Sequence, residues 1–235
     1  MYGLYSFGAV NRHNRLVAAA SPSGKQARKT AAAAAAFPQA PQERALSRSE
    51  ALRALASADA ATRAEAVVWI ANRGGMDDAG LLHERLRDES GLVRSYAEQG
   101  LWLLWTRSGD SGVDRQMALA GEQMQAGQFD QAVSVLTEII QKKPAFAEAW
   151  NRRATVYYLA GQYGKSIADC DEVLKRNPKH FGALSGLGQV HVKLEQYEQA
   201  LKWFRRALEV NPNMAGVEVN IHQVEELLKK KRIAT

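Results

Sequence analysis

A repeat of 34 residues is the feature that most constrains how this chain can fold. Three windows, which begin at Val113, Ala147 and Phe181, align with one another without gaps and together span residues 113–214. A period of this length is typical of arrays of helix pairs, in which each pair buries its apolar face only by stacking on its neighbours. The repeat therefore predicts an all-α fold, an α-solenoid of helix-turn-helix units.

Small residues and a proline recur at fixed places in the three windows. The small residues stand at the eighth and twentieth positions and the proline at the thirty-second: Ala120, Ala132 and Pro144; Ala154, Ser166 and Pro178; Gly188, Ala200 and Pro212. Two helices can approach closely where both carry a small side chain, and proline stops a helix because it lacks an N–H and clashes with the preceding turn. Each window is therefore predicted to form two closely packed helices that end at the proline.

The pattern resembles the tetratricopeptide repeat, which carries Trp, Leu-Gly and Tyr in its first helix, Ala and Phe in its second helix and Pro at the end. The matching residues lie in the second and third windows: Trp150, Ala154, Tyr157, Leu187, Gly188, Ala200, Phe204 and Ala207. The first window departs from the pattern at Gln116 and Gln123, so its first helix is either exposed there or packed on something upstream. The resemblance implies three units and a C-terminal cap helix within 113–235: 113–146, 147–180, 181–214 and 215–232.

A second repeat, with a spacing of 31 residues, lies upstream. It pairs Arg63 with Arg94, Ala66 with Ala97 and Ile70 with Leu101. An Asp before the helix, an Arg in its first turns and a small residue three positions later resemble short HEAT-like repeats. Two such pairs are predicted within 43–107, with partner helices near residues 47–57 and 77–87. Because the link at 108–112 is too short for a free tether, the two halves are expected to form one continuous or elbowed solenoid.

The amino-terminal segment differs in composition from the rest of the chain. Residues 1–42 contain five basic side chains and no Asp or Glu, whereas residues 43–235 contain 26 basic and 25 acidic side chains. An acid-free segment rich in Ala and Ser has the composition of an organelle transit peptide, and a disordered tail is the alternative. The segment resembles algal or plant transit peptides, so we expect a chloroplast protein, with the mitochondrion as second choice. No run of 18 apolar residues is present, and no transmembrane segment is predicted.

No constellation of side chains points to catalysis or to a bound metal. Cys170 and His191 are the only nucleophile and base that could meet, and both stand at core positions of the repeat, where a packed thiol is inert. The five histidines show no metal-ligand spacing, and the glycine-rich stretch Gly182–Gly188 follows no strand and is no phosphate loop. The chain is therefore predicted to be non-enzymatic, with no catalytic residue, metal, cofactor or small-molecule substrate.

Protein binding remains as the predicted function, in the concave groove that the first helices of such units line. The resemblance implies a peptide-binding groove formed by nine side chains: Met117, Met124, Gln125, Asn151, Thr155, Tyr158, Ser185, Gln189 and Lys193. Apolar groups mixed with hydrogen-bonding groups suit an extended peptide or a partner helix. Within the second unit, Trp150 and Tyr157 are expected in the core, whereas Asn151 and Tyr158 are expected to be replaceable without loss of stability.

The expected role is that of an adaptor or scaffold for a protein partner. By analogy with short repeat proteins of plastids, this role implies an assembly or maintenance factor for an organellar, photosynthetic membrane complex. A structural subunit of a larger assembly is one alternative. An RNA-binding helical-repeat protein is another, although the near-neutral charge of the repeats and their small number argue against nucleic acid.

One class of partner is excluded by the resemblance. Family members that clamp the carboxylate tail of cytosolic chaperones carry Lys and Asn in the first unit, Asn in the second, and Lys and Arg in the third. The corresponding residues here are Met117, Gly121, Arg152, Gly182 and Gly186. Without these cations and amides, the groove cannot hold two carboxylates, and no chaperone carboxylate-clamp binding is predicted.

Overall fold

The computed structural model describes residues 46–233, and the leader predicted at residues 1–42 lies outside them. The described residues form eleven α-helices and one 3-10 turn at Met76–Asp78, without a strand. The helices are α1 Arg48–Ala54, α2 Ala60–Arg73, α3 Ala79–Arg85, α4 Gly91–Thr106, α5 Ser111–Gln125, α6 Phe129–Lys142, α7 Ala147–Leu159, α8 Tyr163–Arg176, α9 Phe181–Lys193, α10 Tyr197–Val210 and α11 Ala215–Ile233. The prediction of an all-α fold is confirmed for this part of the chain. None of its helices combines the length and the apolar character needed to cross a membrane.

Helices α5 to α10 form three pairs, one for each 34-residue window, and α11 packs on α10. Gly188 shows why a small residue recurs at the eighth position, because a Cβ there would collide with the fully buried ring of Phe204. In the second unit, the Ser166 hydroxyl donates a hydrogen bond of 2.8 Å to the carbonyl oxygen of Ala154. The predicted close approach of the two helices is therefore confirmed in these units.

The turn inside each unit uses one residue in the left-handed conformation. Gly127 and Gly161 have φ values of +73° and +72°, and Glu195 stands at the equivalent place of the third unit with a φ of +56°. For a residue with a Cβ this conformation costs roughly 1–2 kcal/mol. The third unit therefore carries a local strain that the other two avoid.

Replacing Glu195 by Gly is expected to raise the free energy of unfolding by about 1 kcal/mol, because relief of the strain exceeds the extra chain entropy that Gly adds to the unfolded state. The converse change, Gly161→Ala, should lower it by a similar amount. Urea denaturation of both variants beside the wild type measures the two differences. A destabilised Glu195→Gly variant would show that the turn is not strained.

The N-terminal helices form two further pairs, α1 with α2 and α3 with α4, which are joined by the packing of α2 on α4. Helices are thus present near both positions where partners were expected. The α2–α4 contact is close at Gly100, where a Cβ would lie 2.9 Å from Cβ of Ala71 and 3.0 Å from Cδ1 of Leu82. Leu82 and Leu101 are fully buried in the core that these helices share.

Arg63 and Arg94 have equivalent contacts in the two N-terminal pairs. Each guanidinium donates two hydrogen bonds of 2.8–2.9 Å to backbone carbonyls of the turn before its own helix. Arg63 also forms a bidentate ion pair with Asp88 of the following pair and lowers the pKa of that carboxyl group. Arg94 instead donates from Nε to Oδ1 of Asn213, which follows α10 at the end of the third 34-residue unit, at 2.9 Å. The third unit therefore stands where a further N-terminal pair would otherwise follow.

The two halves of the chain contact each other, so that α3 and α4 lie against the third unit. Nδ2 of Asn213 donates to the carbonyl oxygen of Leu86 at 2.7 Å. The Arg87 guanidinium donates to the carbonyls of Glu209 and Val210 at the end of α10. The last carbonyls of a helix lack partners within it, so Arg87 satisfies groups that would otherwise face water. The sequence predicted a continuous or elbowed array but not this return of the chain upon itself.

Candidate partner-binding groove

Helix α4 lies against α7 and α9, the first helices of the second and third units, on the side where the groove was predicted. Trp102 and Trp105, which are one helical turn apart, form its contact surface. The Trp102 ring meets Phe181 edge to face with 5.3 Å between the centroids, and Trp105 stacks on His180 at 4.3 Å. Trp105 and Phe181 are 4% and 0% exposed. A helix of the same chain therefore occupies this part of the groove.

Gly182 makes room for α4. A Cβ on Gly182 would collide with the indole of Trp102, so any other residue would force the helix to move. This is a position where chaperone-clamping members of the family carry a cation. In this chain, the space beside Gly182 is taken by an aromatic ring instead.

Glu148 is a buried carboxylate beside the aromatic cluster. It accepts hydrogen bonds from Nδ2 of Asn151 at 3.0 Å and from Nε of Arg152 at 3.2 Å, and its Oε2 lies 3.4 Å from Nε2 of His180. Burial by itself raises the pKa of Glu148, but the contact with His180 and the charge of Arg152 outweigh burial, and the pKa lies below its ordinary value. The groove wall thus contains a fixed anion that its own neighbours neutralise.

His83 also lies beside Trp105, with 6.0 Å between the ring centroids. It is 7% exposed, and burial lowers its pKa to about 4, with electrostatic interactions from Lys179, His180 and Arg87 acting in the same direction. His83 is therefore neutral at pH 7. The junction between the two halves holds a neutral imidazole that would be costly to charge.

The structure buries most of the predicted groove residues. Gln125 and Lys193 are exposed, and the other seven are buried: Met117, Met124, Asn151, Thr155, Tyr158, Ser185 and Gln189. These seven side chains offer no surface to a peptide while the chain holds this conformation. Their role in binding stays a prediction.

Three of the buried residues belong to the repeat core. Met117 and Met124 pack in the cluster between the first and second units. Tyr158 packs with Ala154, Cys170 and other core residues between the second and third units. The expectation that Tyr158 can be replaced without loss of stability is therefore wrong, because its ring is part of the contact that joins two units.

The expectation for Trp150 and Tyr157 also needs correction. Both side chains are only partly buried. Nε1 of Trp150 donates to the carbonyl oxygen of Pro144 at 3.0 Å, and the guanidinium groups of Arg153 and Arg176 lie 5.1 and 4.6 Å from the centre of its ring. Trp150 thus covers the edge of the repeat core rather than filling its centre.

Several polar atoms at the junction find no hydrogen-bond partner among residues 46–233. They include Nε1 of Trp105, Nδ1 of His83, Oδ1 of Asn151 and Oγ of Ser185, and each is buried. A buried polar group without a partner costs roughly 1–3 kcal/mol relative to a satisfied one. The fit between α4 and the groove is therefore tight for the aromatic rings and incomplete for the polar groups.

Cys170 is packed in the core as the sequence indicated, whereas His191 is only partly buried, so the core position expected for it is wrong. Cys170 is fully buried, and its pKa is raised well above the ordinary value by burial and by Asp169 and Asp171. His191 is engaged with the side chain of Gln196, with Nδ1 and Oε1 2.6 Å apart. Within residues 46–233, no three His, Cys, Asp or Glu side chains come together as metal ligands.

The sequence contains a signal for the occupied groove. The stretch Leu101–Trp105 reads LWLLW and carries more large apolar residues than one helix face needs, and Gly182 stands where a clamp cation is usual. The first fact indicates a helix with a second face to bury, and the second indicates a widened groove. Only their combination points to an internal occupant.

Comparison with known proteins supports the repeat assignment. The family model described as tetratricopeptide repeat matches residues 146–213. The Sgt2 TPR domain from Aspergillus fumigatus is 18% identical with a TM-score of 0.50, and the match covers 52% of this chain and 83% of that one. The first TPR domain of the human RPAP3 protein is 20% identical with a TM-score of 0.50, over 52% and 97% of the two chains. No curated protein matches the sequence.

Proposed function

We propose that this chain, which carries tetratricopeptide repeats, is a non-enzymatic adaptor that binds a peptide or helix of a protein partner in its concave groove. Tetratricopeptide repeats generally mediate protein–protein interaction. The observation that carries the proposal is the packing of α4 against the groove through Trp102 and Trp105. A groove that accepts a helix with two indole side chains has the shape and chemistry of a helix-binding surface.

Site-specific photo-cross-linking in the native cells tests this function. A photoreactive amino acid is placed at Gln125 or Lys193, the two exposed groove residues, and at Lys202, an exposed residue of α10, as the matched control. The groove positions are expected to cross-link one partner that the control does not. Cross-links that form only from Lys202 would move the partner to the outer face and reject the groove.

We also propose an organellar setting, in which the adaptor assists assembly or maintenance of a photosynthetic membrane complex in the chloroplast, with the mitochondrion as the alternative compartment. The acid-free composition of residues 1–42 supports import, and the repeated contacts of Arg63 and Arg94 support two HEAT-like pairs in 43–107. A structural subunit of a larger assembly remains the alternative role.

Removal of the leader is expected in the native protein, with the mature chain beginning between about residues 30 and 45. Amino-terminal sequencing of protein purified from isolated organelles measures the start directly. The same protein made without import machinery is the control and should retain Met1. A native chain that still begins at Met1 would contradict the transit peptide.

Peptides with the acidic carboxyl-terminal tails of chaperones are expected not to bind. The groove lacks the cations and amides that clamp two carboxylates, and the indole of Trp102 fills the space at Gly182. Isothermal titration calorimetry should therefore show no heat of binding, with a clamp-bearing repeat domain as the positive control. Micromolar affinity for this chain would contradict the prediction.

A further inference from the structure

We propose that α4 is a built-in competitor for the groove, and that the partner is an amphipathic helix whose two aromatic side chains, three residues apart, displace it. This inference rests on the adaptor function and names both its ligand and its control. The protein would alternate between a closed form, with α4 seated, and an open form that accepts the partner.

The contacts between α4 and the groove indicate which ligand the groove accepts. Among the described residues, Trp102 and Trp105 make the ring contacts of α4 with the repeats, at centroid distances of 4.3 to 5.5 Å from His180, the last residue of the second unit, and Phe181, the first residue of the third. Gly182 leaves the room for one of these rings. Aromatic anchors in a well-packed pocket dominate the affinity of such interfaces. A competing helix therefore needs the same aromatic pair at the same spacing.

The incomplete polar fit explains how a partner could compete with a helix that is covalently attached. Oδ1 of Asn151 and Oγ of Ser185 are buried without a hydrogen-bond partner among the described residues, and so is Nε1 of Trp105. A partner helix with a polar side chain beside its aromatic pair can reach the two groove atoms. It would then gain hydrogen bonds that α4 leaves unmade.

The contacts that keep α4 seated include a polar latch at the edge of the junction, formed by Arg87, Arg94 and Asn213. The latch consists of hydrogen bonds from Arg87 to the end of α10, from Arg94 to Asn213 and from Asn213 to the carbonyl of Leu86. Arg87 is exposed, so water can replace its contacts when the latch opens. No residue of the latch belongs to the core between the repeats.

The segment that connects the N-terminal helices to the repeats contains one point at which the two halves can move apart. Arg107 is tied to the N-terminal half by hydrogen bonds of 2.7 Å to the carbonyls of Ala71 and Gly74. Ser108 is tied to the repeats, because Nζ of Lys143 donates to its carbonyl oxygen at 2.8 Å. The exposed Gly109 follows with a φ of +73°. A change in the backbone at Gly109 and its neighbours would separate the halves and leave the repeat pairs intact.

Opening can be measured with α4 itself as the probe. A fluorescent peptide of residues 91–106 is titrated with the full-length chain, and its anisotropy reports binding. The latch variant carries Arg87→Ala and Asn213→Ala, which remove contacts between the halves and change no groove residue. The apparent dissociation constant falls as the open fraction rises, so the latch variant should bind the peptide roughly tenfold more tightly than the wild type.

Three controls test whether tighter peptide binding comes from opening of the latch and from the groove itself. Arg205→Ala removes an exposed ion pair between α10 and Glu225 of α11, outside the latch, and it should bind like the wild type. A peptide with both tryptophans replaced by Ala should not bind. Gly182→Leu added to the latch variant should abolish binding, because the new side chain fills the space of Trp102.

The outcomes separate this inference from the adaptor function. Equal and tight binding to the wild type and the latch variant would mean that the groove is already open, which rejects the competition by α4 and leaves groove binding intact. Absence of binding to a latch variant whose circular dichroism is unchanged would reject α4 as a groove ligand. The adaptor function would then be tested separately, by whether Gln125 and Lys193 form cross-links to a partner.

Discussion

Replacement of Trp105 by Ala is expected to lower the free energy of unfolding by about 3–5 kcal/mol. Its side chain is 4% exposed and packs against Phe181, His180 and Trp102 at centroid distances of 4.8, 4.3 and 5.1 Å. The change removes this burial and leaves a cavity at the junction of the two halves. Urea denaturation followed by circular dichroism measures the loss.

Trp150→Ala is the matched control for Trp105→Ala. Both changes remove an indole, but Trp150 is only partly buried and lies between Arg153 and Arg176 at the edge of the core. A smaller loss of stability is therefore expected at Trp150 than at Trp105. If Trp150→Ala proves the more damaging of the two, the junction contributes less to the fold than the repeat surface does.

The repeats were predictable because each of their contacts joins residues that recur within one or two units. The small residue at Gly188 and the aromatic residue at Phe204 stand 16 positions apart in one window, and the structure brings them into contact. The inert character of Cys170 followed from the same register, since its place in the repeat is a core place. A period in the sequence encodes such contacts directly.

The occupied groove was not predictable in this way, because its contacts join segments that share no period. Arg94 and Asn213 are 119 residues apart, and nothing in the repeat of either segment identifies the other as its partner. The family correspondence assumes an open groove, so it predicts Asn151 and Ser185 on a surface that the structure buries. The prediction for Tyr158 is wrong for a different reason, since its ring packs in the core between the second and third units.

The stability of the protein is expected to fall by about 3 kcal/mol between pH 6.5 and pH 4 because of His83. Burial, helped by Lys179, His180 and Arg87, lowers the pKa of His83 from its ordinary value of 6.5 to about 4. Between pH 6.5 and pH 4, His83 is mostly protonated in the unfolded chain and mostly neutral in the folded chain. Acid therefore favours unfolding. Glu148 adds a further loss of stability at more acidic pH. Its pKa in the folded chain lies below its ordinary value, so protonation of this carboxylate also favours unfolding.

His83→Phe should remove the part of this acid sensitivity that belongs to the imidazole. Phenylalanine keeps an aromatic ring beside Trp105, does not titrate, and replaces a ring whose Nδ1 has no hydrogen-bond partner within residues 46–233. Urea denaturation at half-unit steps from pH 7 to pH 4 should give a flatter profile for His83→Phe than for the wild type. The exposed His222, replaced in the same way, is the control and should leave the wild-type slope in place. A wild-type slope in His83→Phe would mean that the proton uptake that drives acid unfolding occurs at groups other than His83.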